Sequence, residues 1–172
     1  ALNKADIPES VVKVGAGIFK NTAFYDENDN EEALYNCGWL LEVNSKLKEL
    51  TVSPGTKGLA DGICSSWSCD IETVLIPASV KILPVEAFEG LDNLKQIAVD
   101  TDNALYSTID GILYNKEKTQ LISYPRGKAD SEYRIPDTVT VVSDNAFYKC
   151  GNLTSVAFPN SVRAVGDDAF YE

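Results

Sequence analysis

Histidine is absent from this 172-residue chain. Its absence removes Ser-His-Asp and Cys-His nucleophile systems, His-ligated catalytic metals and the commonest general base. The four cysteines include no Cys-x-x-Cys pair, so a zinc site has no ligand set to draw on. Phosphate-cradling glycine motifs are missing too: Gly15-Ala16-Gly17 has neither the required spacing nor the following lysine. No cofactor is expected. No run of 18 apolar residues occurs, so there is no transmembrane helix in the sequence. Positive charge is scarce. Lys and Arg number 15 against 26 Asp and Glu, a net charge of −11. Nucleic acid and anionic membranes both need a basic face, so neither is an expected partner, and the acidic excess reads as a solvated surface. No linker rich in Gly, Ser or Pro divides the chain, and residues 1–172 read as a single domain.

What is present is a repeat. Pro136, Val139, Val142 and Ala146-Phe147 recur as Pro159, Val162, Val165 and Ala169-Phe170, a shift of 23 residues. Pro77, Val80, Leu83 and Ala87-Phe88 hold the same offsets, as do Pro8, Val11, Val14 and Phe19. Between these units runs a second pattern, apolar-x-x-apolar-x-apolar. It reads Leu47, Leu50, Val52; Ile71, Val74, Ile76; Leu94, Ile97, Val99; and Leu153, Val156, Phe158. A fixed period of this size marks a stacked repeat architecture. The alternating residues predict a short strand with one buried face. The proline after it cannot donate a ladder hydrogen bond and ends the strand. Asp144-Asn145 and Asp167-Asp168 turn the chain, and Ala-Phe plugs the interior. One unit cannot cover its own Phe and Val side chains, whereas stacked copies cover each other at about 1.5–3 kcal/mol per large apolar side chain. The phenylalanines Phe19, Phe88, Phe147 and Phe170 are expected to form one continuous row.

Those residues carry a resemblance. Residues 135–170, IPDTVTVVSDNAFYKCGNLTSVAFPNSVRAVGDDAF, resemble the leucine-rich repeats of the BspA-like bacterial surface proteins. The insertion YSTIDGILYNKEKTQLISYPRGK and the opening KVGAGIFKNTAFY, ALYNCGWLLEV and KGLADGIC are similar to further elements of that family. The resemblance implies a β-rich α/β solenoid, a leucine-rich-repeat right-handed superhelix with short concave strands, of about five to six units with the last cut short. It also implies export to the cell surface and an adhesin-like role; the missing His and the shallow surfaces of a solenoid make catalysis unexpected. A solenoid needs polar end caps, so a chain stopping in mid-unit reads as a fragment or as a mature chain whose export signal was removed.

Taken in order, residues 1–25 hold the first unit. The acidic run 26–32, DENDNEE, lacks the Gly and distal Glu of calcium-loop spacing and reads as a solvated turn. Residues 33–43 read as one inserted hairpin around Asn36-Cys37-Gly38, with Trp39 packed inward or, if exposed, a sugar-stacking anchor. In the next, compressed unit Ile63 stands where Phe is expected and Pro54 comes one place late. A second hairpin, residues 111–124, turns at Lys116 to Thr119 and lengthens its unit from 23 to 36 residues. Cys64 and Cys69 bracket Ser-Ser-Trp-Ser closely enough to close a small loop by a disulfide, while Cys150 reads as a packed thiol.

The candidate binding residues are those that alternation points outward: Glu49 and Thr51, Thr73 and Leu75, Gln96 and Ala98, Glu132 and Arg134, Ser155 and Ala157. Singly, each is an ordinary solvent-facing strand residue. As a set they form a mixed-polarity ladder on which an extracellular protein or glycan can lie, with no aromatic anchor for a deep-pocket ligand. The rival reading is a stiff spacer without a ligand of its own; exposed aromatics or Arg on one face discriminate the two, and only Arg134 and Trp67 qualify. Two-carboxylate glycosidase chemistry remains open on composition alone, against the shallow surfaces of a solenoid. Oligomeric state has no signal in the sequence.

Overall fold

The Pro-x-x-Val spacing makes the same turn in all four copies. The backbone N–H groups of Val11, Val80, Val139 and Val162 donate to the carbonyls of Pro8, Pro77, Pro136 and Pro159 at 3.1, 3.3, 3.0 and 3.3 Å. The turns at Pro77, Pro136 and Pro159 each follow a strand and carry the chain to the next side of a coil. The protein is described by a computed structural model over residues 6–28, 32–64 and 69–172.

Among the described residues the elements are one short helix, α1 (Ala23–Asn28), and strands β1 (Ala33–Asn36), β2 (Trp39–Val43), β3 (Glu49–Thr51), β4 (Gly58–Leu59), β5 (Thr73–Ile76), β6 (Gln96–Val99), β7 (Tyr106–Ile109), β8 (Ile112–Asn115), β9 (Gln120–Ser123), β10 (Glu132–Arg134), β11 (Val141–Val142), β12 (Ser155–Ala157) and β13 (Ala164–Val165). A 3-10 turn covers Val85–Phe88. This is a β-solenoid with little helix. Successive coils pair in parallel: β3 with β5 and β5 with β6, β10 with β12, and β9 with β11 and β11 with β13. The acidic run enters the end of α1 at Asp26–Asn28 rather than a turn, and residues 29–31 lie outside the described residues. Thr22 starts that helix, its Oγ1 accepting the Tyr25 N–H at 3.2 Å.

The insertion between β6 and β10 differs from the expected single hairpin. It is a three-stranded antiparallel meander, β7-β8-β9. The extra strand, β7, turns into β8 through Asp110 and Gly111, both at positive φ (50° and 78°), the geometry that Asp-Gly favours in two-residue hairpins. Asn103 launches it. Its fully buried amide donates to Pro77 O and Val80 O at 3.1 and 3.0 Å and accepts from Leu105 N and Tyr106 N, both at 2.9 Å. Asn115 makes the next corner, accepting from Thr119 N and Gln120 N.

The buried side chains fall into three clusters. The largest runs from Leu40 through Ile63, Phe88 and Ile97 to Leu113 and Ile122. A second surrounds Tyr114, Tyr124, Val142 and Phe147, and a third joins Phe19 to Trp39, Leu41 and Ala60. The expected phenylalanine row is therefore only partly formed. Phe147 and Phe170 stack at 4.8 Å and 7° between planes, and Tyr124 stacks on the other side of Phe147 at 5.3 Å. Tyr124 fills the slot that the insertion leaves without a Phe, its N–H bonded to Ala146 O as Phe147 N is to Ala169 O. Phe19 stands apart, packing edge-on against Phe24 at 5.0 Å. Phe158, expected to face inward, is 45% exposed, because the coil that carries it is covered from one side only.

Trp39 is fully buried, as its inward reading requires, and it needs a glycine beside it. A Cβ on Gly58 would lie 2.8 Å from the indole ring. Lys57 covers the ring from outside at 5.7 Å.

Candidate binding face

The parallel register brings the ladder residues into rows. Glu49, Thr73 and Gln96 are mutual partners across β3, β5 and β6, and Thr51, Leu75 and Ala98 form the next row. Between them Leu50, Val74 and Ile97 are buried, so alternation sends the row residues outward. Glu49, Thr51 and Gln96 are exposed, while Thr73, Leu75 and Ala98 are half-buried by their neighbours. On the second sheet Glu132 pairs with Ser155 and Arg134 with Ala157, all four exposed, with Tyr133 and Val156 half-buried between them.

The ladder is thus two patches rather than one. The meander separates them, with the Asp110-Gly111 turn laid against β6. Ile97 N donates to Gly111 O at 2.9 Å, and a Cβ on Gly111 would lie 3.1 Å from the Gln96 side chain. Lys128 Nζ ties the same turn down through Asp110 O at 3.1 Å.

One further row escaped the sequence reading. Lys48, Glu72 and Lys95 precede the strands and sit one above another. Glu72 N donates to Lys48 O and Lys95 N to Glu72 O, each at 2.8 Å. Glu72 is bridged by Lys95 at 2.7 Å and by Lys48 at 3.6 Å. The Lys95 hydrogen bond, with Lys48 adding attraction, holds the Glu72 carboxyl below its ordinary value. Their spacings of 24 and 23 residues, the repeat period itself, were the available signal. Arg134 is also paired, with Asp137 at 3.4 Å, and both are largely exposed. Trp67, the other exposed-aromatic candidate, lies outside the described residues.

No cluster of Cys, Asp or Glu capable of holding a metal occurs among the described residues. Cys150 is a packed thiol: its Sγ donates to Tyr124 O at 3.6 Å, and burial pushes its pKa up to about 12. No helix among the described residues is long and apolar enough to cross a membrane.

Coils in parallel register on a 23-residue period, each closing on a Pro-x-x-Val turn, define a repeat class. The model of the BspA type leucine rich repeat region matches the chain in six copies, over residues 1–95, 30–130 and 127–172. The chain belongs to the BspA-type leucine-rich repeat family. Three solved structures share its fold. A leucine-rich repeat protein from Eubacterium ventriosum is 30% identical, with a TM-score of 0.65, over 72% of this chain and 32% of that one. The pneumococcal vaccine antigen PcpA is 25% identical, with a TM-score of 0.58, over 73% of this chain and 37% of that one. A leucine rich cell surface protein from Faecalibacterium prausnitzii is 28% identical, with a TM-score of 0.56, over 73% of this chain and 39% of that one. This BspA-type chain therefore spans 32–39% of the length of those structures. No curated protein matches it in sequence.

Proposed function

We propose that this BspA-type repeat is a secreted or cell-surface adhesion module that binds an extracellular protein or glycan and performs no catalysis. Its coils wind as a right-handed superhelix with the β3-β5-β6 and β10-β12 ladders on the concave side. The observation that carries the reading is the register of Glu49/Thr73/Gln96 and Thr51/Leu75/Ala98, which sets six outward side chains in a two-row grid. Lys48 and Lys95 share the one carboxylate of Glu72, so the flanking row keeps a single net positive charge, and the grid itself offers hydroxyls, an amide, short apolar groups and the carboxylate of Glu49. Such a surface suits a broad, polar, largely uncharged partner better than a nucleic acid or an anionic membrane. The surface description of the Faecalibacterium relative supports the location.

The test is an array of glycans and extracellular-matrix proteins probed with this chain and with its Thr73→Arg and Leu75→Arg variants. A hit that fades tenfold or more with either variant supports the grid as the contact. A hit indifferent to both moves the contact elsewhere on the coil. Silence across the array returns the chain to a spacer role.

A further inference from the structure

We propose that Cys64 and Cys69 are a modification site: they form an intrachain disulfide that closes a ring around residues 65–68. Both side chains lie in the same core cluster, 5% and 1% exposed, and their thiols are hydrogen-bonded to each other. The backbone on either side is held by neighbouring coils. Ile63 donates to Ala87 O at 3.3 Å and accepts from Val43 N at 2.8 Å. Asp70 N donates to Ser45 O at 2.7 Å, and Asn93 Nδ2 donates to Cys69 O at 2.8 Å. Two interacting thiols on two anchored arms bring both partners of a bridge to one place in the core.

The other two cysteines sit in different surroundings. Cys37 is exposed at the β1–β2 turn, where its Sγ accepts from Ile7 N at 3.3 Å. Cys150 belongs to the second core cluster, beyond the meander.

The chemistry is thiol–disulfide exchange with a disulfide-bearing oxidant. One thiolate attacks a sulfur of the oxidant, forming a mixed disulfide and releasing one reduced thiol. The second thiolate then attacks the protein sulfur of that mixed disulfide and releases the other. Two protons and two electrons leave the cysteines, and the oxidant becomes two thiols. The hydrogen bond from Cys64 and then burial hold the Cys69 thiol well above the ordinary thiol range, so the folded chain presents little thiolate. The bond therefore forms while the chain folds, and the core shelters it afterwards.

The experiment refolds the full chain in a mixture of oxidised and reduced glutathione, alkylates it in denaturant and maps it by mass spectrometry. Trypsin releases residues 58–81, which hold both cysteines, and cleavage after Trp67 then separates them. The expected result is a 58–81 peptide lighter by two hydrogens, whose halves stay joined after the second cut, with Cys37 and Cys150 alkylated. In the native protein, reductant alone leaves the bond intact, whereas reductant with urea opens it. Alkyl groups on both Cys64 and Cys69 after oxidative refolding, or a link from either to Cys37, Cys150 or another chain, overturns the proposal. Because the mapping is done on the unsubstituted chain, it does not depend on a Cys64→Ser variant folding, and it stands whether or not the chain binds a ligand.

Discussion

Replacing Phe147 with alanine tests the stacking argument most directly. The ring is 2% exposed and meets three others: Phe170 at 4.8 Å, Tyr124 at 5.3 Å and Tyr133 at 6.1 Å. Phe→Ala in a core costs about 3–5 kcal/mol, including the cavity left behind. Lost ring pairing pushes toward the top of that range. Against this, Phe170 is 43% exposed and can settle into the space, so the expected loss is about 3 kcal/mol. With a urea m-value of about 2 kcal/mol per molar, the midpoint falls by about 1.5 M. Two probes are read together: far-ultraviolet circular dichroism for the whole coil, and Trp39 fluorescence in a Trp67→Phe background for the cluster that holds Phe19. If all coils unfold as one, both midpoints move together. If the clusters uncouple, the Trp39 transition stays behind. A shift below about 0.3 M on both probes refutes the reasoning, because it requires that the ring be dispensable.

Leu75→Arg is expected to leave stability within about 1 kcal/mol, since Leu75 sits in an outward row; insoluble protein at the same expression level contradicts the strand phase. Gly127→Ala is expected to lower the thermal midpoint, at a cost of about 1–3 kcal/mol, because its Cβ would lie 2.5 Å from the Asn93 carbonyl carbon; an unchanged midpoint means that the coil can shift there. Burial first, and then the hydrogen bond to Tyr133, holds the Tyr114 phenol above its ordinary 10.0; burial first, and then the bond to Asp130, does the same for Tyr124. The folded chain keeps these protons where the unfolded chain releases them. Stability is therefore intact below pH 10 and falls as pH rises beyond it, so absorbance at 295 nm should show these tyrosines ionising only with unfolding. A smooth titration of every tyrosine at pH 10, with the fold retained, refutes that.

Much of the coil was legible because its determinants are local and periodic. Pro136 and Val139 make their turn within four residues, and the register of Glu49, Thr73 and Gln96 follows from the period and from alternation alone. The phase of the outward rows was correct for the same reason. The meander was harder. Tyr106–Ile109 has no hydrophobic alternation to mark a strand, and what starts it, the Asn103 amide, takes its partners from residues 77 and 80. The replacement of Phe by Tyr124 is equally non-local: its slot exists only after the insertion has brought β9 beside β11. Phe19 sits at the offset of a core Phe, yet Trp39 on an unrelated hairpin supplies its surroundings. Lys48, Glu72 and Lys95 were visible as charges, but their pairing depends on side chains meeting across coils. That pairing makes the face less polar than its composition suggests.

The meander sends alternate side chains to opposite neighbours. Leu113 and Ile122 enter the cluster before it, and Ile112, Tyr114 and Leu121 the cluster after it. An ordinary coil is interchangeable, because the surface it covers is nearly the one it leaves exposed. The meander is not, for its two sides present different shapes. Gene-level gain or loss of 23-residue modules can therefore lengthen or shorten either arm of such a molecule, while this joint keeps its place between them.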